Sequence, residues 1–99
     1  YGQAYEAYKT VLAFDPNNFE ALVAVAVMGR SIGDTDSARD AAERALAIDP
    51  TQIAVLMSKG MMELADKRFA QAIGIAERII AAHPSDPNGY VLKSRALAL

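Results

Sequence analysis

Residues 36–48, Asp-Ser-Ala-Arg-Asp-Ala-Ala-Glu-Arg-Ala-Leu-Ala-Ile, mix small apolar and charged side chains at helical spacing. Ala38, Ala41, Ala42, Ala45, Leu46 and Ile48 fall on one stripe, with Asp36, Arg39, Asp40, Glu43 and Arg44 on the other side. Apolar positions three and four apart predict an amphipathic helix. Asp40–Arg44 and Arg39–Glu43 are opposite charges at i,i+4. Such pairs add only about 0.2–0.5 kcal/mol each and describe a solvated face. Phe69 to Ala82 reads the same way, with Ile73, Ala76, Ile79 and Ile80 apolar. Tyr1, Tyr5, Tyr8, Val11 and Leu12 mark an equivalent helix at the start, and their aromatic stripe reads as core.

Further helices lie between these. Phe19 to Ile32 is entered through Asn17-Asn18, whose side chains can accept from free backbone N–H groups. It stops at Gly33-Asp34, a C-terminal glycine followed by an acidic start for the next helix. Ile53 to Ala65 is its counterpart, with Thr51 expected as N-cap. Asp86-Pro87 opens a last helix, since proline fits a first helical turn. Asp34, Asp36 and Asp40, near a helix start, read as charges favoured by the helix dipole rather than as a cation site. The pattern predicts six helices and an all-α fold.

The chain also repeats itself. Pro16, Pro50 and Pro84 are separated by steps of 34 residues, and so are Ala4, Ala38 and Ala72. Tyr8, Ala42 and Ala76 follow each alanine by four positions. The prolines fall between helices, where a missing N–H does no harm. Each unit is therefore a helix–turn–helix pair, and stacked pairs bury a face that one pair cannot bury alone.

Composition narrows the chemistry. Of 99 residues, 53% are hydrophobic and 22% charged, enough for a packed core. Ten basic and twelve acidic side chains leave a net charge of −2, which argues against nucleic acid as a partner. There is no cysteine and one histidine, His83, placed in a turn before Pro84. Thiolate metal sites, disulfides and His-rich centres are thereby excluded. No nucleophile–base set, phosphate loop or paired carboxylates can be assembled, so no enzyme activity and no cofactor or metal is expected. The longest apolar run, Ala21 to Met28, is too short to insert in a membrane. The chain opens on Tyr1 and closes on Ala96-Leu97-Ala98-Leu99, which reads as a fragment of a longer array. Twenty alanines are compatible with a bacterial source, in either the cytoplasm or the periplasm and envelope.

These residues resemble the tetratricopeptide repeat, a 34-residue helix–turn–helix unit. In residues 19–52, Leu22, Val25, Ala26, the Ile32-Gly33-Asp34 turn, Ala38, Ala42, Ala45 and Asp49-Pro50 follow the family pattern. In residues 53–86, Leu56, Gly60, Ala72, Ala76 and Pro84 do so. The resemblance implies a right-handed superhelical α-solenoid. It divides the chain into a half repeat (1–18, a second helix), two complete repeats (19–52 and 53–86) and a first helix (87–99). Gly29 and Glu63 stand where the family prefers a large aromatic, and Lys59 and Lys93 where it prefers leucine. These departures are expected to loosen packing and leave room that a partner fills. A pentatricopeptide RNA reader would need a period one residue longer and a basic groove.

In this family the first helix of each repeat lines a concave groove. The resemblance assigns to it Glu20, Val23, Val27, Arg30 and Ser31, then Ala54, Met57, Met61, Leu64 and Ala65, then Asn88, Val91 and Arg95. Val23, Val27, Met57, Met61, Leu64 and Val91 make an apolar band beside Arg30 and Arg95, suited to an apolar peptide or helix of a partner protein. The Lys/Asn clamp by which some members hold chaperone tails is absent: Val23, Val27, Ala24, Ala54 and Ser58 occupy its positions. The expected role is a non-catalytic protein–protein interaction module. The alternatives are self-association with a second copy, or an accessory region of a larger enzyme.

Overall fold

The computed structural model describes residues 2–98. Among them are six helices and no strand: α1 (Gly2–Phe14), α2 (Phe19–Ile32), α3 (Thr35–Ile48), α4 (Ile53–Ala65), α5 (Phe69–Ala82) and α6 (Pro87–Ala98). Tyr1, expected in the first apolar stripe, lies outside the described residues. The helices group into two compact units, Tyr1–Pro50 and Thr51–Leu99.

In the first unit α2 packs against both α1 and α3. Its start is fixed by Asn18, whose Oδ1 accepts the Ala21 N–H at 3.0 Å. Its end is fixed by Gly33 at φ 86°, in the left-handed region that lets the chain reverse while Asp34 N–H donates to the Gly29 carbonyl at 2.8 Å. Ala21, Leu22, Val25, Ala26 and Gly29 of α2 are buried, as are Ala38, Ala41, Ala42, Ala45 and Leu46 of α3. Ile48, expected on the buried stripe, is 50% exposed, because it closes the helix just before the Asp49-Pro50 turn.

A Cβ built on Gly29 would stand 3.0 Å from both Ala38 Cβ and Tyr5 Oη. Its absence lets α2 approach α3 closely and makes room for the tyrosine. The space expected to stay open at Gly29 is thus filled from within the chain: Tyr5 of α1 is only 2% exposed. Asp34, at the start of α3, also has side-chain partners from α1. It makes no side-chain cap bond to α3, and its carboxylate accepts from Tyr5 Oη at 2.7 Å and Lys9 Nζ at 3.3 Å.

In the second unit α5 packs against α4 and α6, and α6 also touches α4. The N-cap of α4 is Gln52, not Thr51: Gln52 Oε1 accepts the Ala54 N–H at 3.1 Å. Two glycines set the helix approach. A Cβ on Gly60 would collide with the Leu92 side chain, and one on Gly89 would press on Ile79 and Ile80. Leu56, Val55, Ile79 and Leu92 are fully buried around them. Glu63, at the other aromatic slot, is buried (3% exposed), with Arg68 Nη1 3.8 Å from Oε2. Lys67 turns the chain at φ 60°, the register of Gly33 one repeat earlier, so the left-handed turn is kept without its glycine. The His83 ring donates from Nε2 to the Thr51 carbonyl at 2.7 Å and ties the α5–α6 turn to the entrance of α4.

Candidate functional site

The residues assigned to the groove lie on the faces of α2, α4 and α6 that the core leaves uncovered. On α2, Val23 and Val27 are half-buried while Glu20, Arg30 and Ser31 are exposed. The spacing of these residues puts them on one stripe, displaced from the buried stripe of Leu22, Val25 and Gly29. This is an apolar strip flanked by one acidic and one basic side chain, and it belongs to the first unit.

In the second unit Met57, Met61 and Leu64 of α4 are half-buried, and Ala54 and Ala65 are exposed. On α6, Val91 is 47% exposed, and Asn88 and Arg95 are exposed. Contact between α4 and α6 brings part of this set together. Arg95 Nη1 reaches Met61 Sδ at 3.8 Å. Met61, Leu64, Ala65 and Arg95, with Ala98, line an open hollow of about 460 Å³. Met57 and Val91 lie on the same two helix faces outside its lining. Its walls are methionine, leucine and alanine, and its polar group is one guanidinium. Methionine is unbranched and polarizable, so such a wall can reshape around a guest side chain. Ala98 was not legible as a lining residue; its signal is the i,i+3 spacing from Arg95.

A second, smaller hollow of about 160 Å³ lies in the first unit, lined by Lys9, Leu12, Val25, Ser37, Asp40, Ala41 and Arg44. Its rim cations are engaged: Lys9 with Asp34, and Arg44 with Asp40 at 3.5 Å and with the Pro16 carbonyl. Beside it, burial and then the Asp34 carboxylate push the Tyr5 phenol up to about 12, and Lys9 Nζ sits 5.4 Å from its ring centre. The Tyr5 hydrogen bond in turn holds the Asp34 carboxyl below its usual range, with Lys9 assisting. Sequence reasoning missed this cluster; a tyrosine one helix away from an unexpected glycine was the available signal.

Among the described residues there is no group of three or more His, Cys, Asp or Glu able to hold a metal ion. Among the same residues, no helix is long and apolar enough to cross a membrane.

Paired helices with short turns, small residues where they touch and apolar outer faces define a helical-repeat protein. The family model for the tetratricopeptide repeat matches residues 1–53, more than half of the chain, and the chain belongs to that family. No curated protein and no solved structure matches it. The family generally serves protein–protein interaction or scaffolding.

Proposed function

We propose that this chain is a non-catalytic interaction module that holds an apolar helix or strand of a partner protein against the first helices of its repeats. The repeats run over 19–52 and 53–86, with half repeats at 1–18 and 87–99. The observation that carries this reading is the hollow between α4 and α6, with Met61 and Leu64 for walls and Arg95 at its edge. Full burial of a leucine-sized guest side chain is worth about 1.5–3 kcal/mol. A rim guanidinium adds orientation by pairing with a carboxylate or a backbone carbonyl of the guest. Met57 and Val91 extend the same surface; Glu20, Val23, Val27 and Arg30 form a separate strip on α2 of the first unit.

The test uses amphipathic peptides selected from a display library on the wild-type chain. Their affinities are then measured for the double variant Met57→Glu, Met61→Glu, with helicity checked by circular dichroism. Loss of affinity by about tenfold or more, roughly 1.4 kcal/mol, is expected. Unchanged affinity rules out this surface.

A further inference from the structure

The chain carries no cysteine, so its sulfurs are the thioethers of Met28, Met57, Met61 and Met62. The helical turn sorts three of them. Met57 and Met61, four residues apart, share the outer face of α4 and are half-buried, while Met62 is turned into the core and is 3% exposed. Met28 of α2 is half-buried as well. Met61 differs from the others in what it touches. Its Sδ accepts from Arg95 Nη1 at 3.8 Å, and among the described residues no other methionine sulfur meets a guanidinium. It also lines the open hollow of about 460 Å³, beside Leu64, Ala65 and Ala98.

We propose that Met61, with Arg95 beside it, is a site of methionine sulfoxidation by a hydroperoxide. A thioether is a soft, polarizable electron donor that peroxides convert to the sulfoxide. The contact with Arg95 leaves one sulfur lone pair free, and the hollow admits a peroxide, which is little larger than water. That lone pair attacks the near oxygen of the peroxide. The S–O bond forms, the O–O bond breaks, and the far oxygen leaves with the bonding pair. It takes the proton of the transferred oxygen and departs as water. Sulfur gives up two electrons and the peroxide receives them. Arg95, a permanent cation with several N–H donors, stabilises the negative charge that builds on the leaving oxygen. Afterwards its weak contact with sulfur is replaced by a charge-assisted hydrogen bond to the sulfoxide oxygen.

The product is a polar group in a wall otherwise made of Leu64, Ala65 and Ala98. An apolar guest side chain would have to desolvate it, so oxidation releases the guest. This consequence rests on the proposed function, whereas the modification site itself does not. Methionine sulfoxide is reduced enzymatically, so the change is reversible.

Hydrogen peroxide is the probe, and the chain is sampled over time by peptide mass spectrometry. Cleavage after Lys59 and Lys67 puts Met61 and Met62 on one peptide, where fragment ions separate them, with Met28 and Met57 elsewhere. Met61 oxidises first, ahead of Met57 and Met28, and Met62 last. Arg95→Leu slows Met61 about tenfold, the low end for losing a hydrogen bond to a charged group. Arg95→Lys, which keeps a cationic donor, retains most of the rate. A Met61 no faster than Met57, or a Met61 rate indifferent to Arg95→Leu in a chain of unchanged helicity, overturns the inference. A second measurement reads the consequence. After conversion of Met61, affinity for the selected amphipathic peptide falls about tenfold, and methionine sulfoxide reductase restores it. Met61→Leu keeps an apolar wall without an oxidisable sulfur, and peroxide leaves its affinity unchanged. Equal affinity before and after full conversion of Met61 overturns the release of the guest. Peptide binding indifferent to Met57→Glu, Met61→Glu sinks the groove reading alone, because the oxidation rates are read without peptide.

Discussion

The Tyr5 hydroxyl donates a 2.7 Å hydrogen bond to the Asp34 carboxylate 29 residues away, through the space that Gly29 leaves for it. One side chain thereby fills the slot where the family places an aromatic, and a turn residue of the next helix is fixed by it. Tyr5→Phe keeps the ring and deletes the bond. The expected loss is about 1 kcal/mol, because Asp34 keeps Lys9 and partial access to water. For a domain of this size that is a fall in Tm of roughly 4–8 °C by thermal unfolding.

The same pair sets a pH dependence at both extremes. The Tyr5 phenol titrates near 12 in the folded chain against 10.0 ordinarily, so the folded state keeps a proton that the unfolded state releases. Its stabilisation is complete below pH 10 and is lost as pH rises toward about 12. Asp34 has the opposite sign: its folded value lies below 3.8, so its contribution is present above that pH and is lost as pH falls through the folded value. Denaturant midpoints measured across both ranges show two shoulders for wild type. In Tyr5→Phe the alkaline shoulder is gone and the acid one is reduced. Two unchanged shoulders contradict the assignment.

Three helical glycines separate propensity from packing. Replacing glycine by alanine inside a helix ordinarily stabilises by about 0.5–1 kcal/mol. Gly74 of α5 has nothing within 4 Å of an added Cβ, so Gly74→Ala gains that amount. Gly60→Ala meets the fully buried Leu92 side chain and instead loses about 1–3 kcal/mol. Gly29→Ala presses on Ala38 and Tyr5 and also loses stability. Leu92→Ala recovers part of the Gly60→Ala loss in a double-mutant cycle, since the two residues compete for one space. Denaturant unfolding of the set reads all three signs.

Local rules made the helices legible. Phe19–Ile32, Ile53–Ala65 and Phe69–Ala82 fall where the apolar period, the asparagine cap, the left-handed glycine and the spaced prolines put them. What escaped was set by neighbours distant in sequence. Whether Thr51 or Gln52 caps α4 turns on which side chain reaches the Ala54 N–H, and propensity favours the wrong one. That Glu63 is buried near Arg68, or that His83 secures the Thr51 carbonyl, requires knowing which turns meet. Lys67 shows the converse: the family turn persists where its glycine does not. The groove-side assignments came from the family pattern alone. The association of Arg95 with Met61 came from packing of α4 against α6, which no single-helix periodicity displays.

The α4–α6 surface, as proposed, receives an apolar segment. The most direct measurement of this is NMR of the chain with ¹³C-labelled methionine methyls during titration with a selected amphipathic peptide. Methionines stand at 28, 57, 61 and 62. Met61 lines the hollow and Met57 lies on the same helix face, whereas Met62 is 3% exposed and faces the core. The methyls of Met61 and Met57 shift in proportion to bound peptide while those of Met62 and Met28 hold still. Shifts confined to Met28, or saturating binding that leaves Met61 unmoved, would show that the segment binds elsewhere.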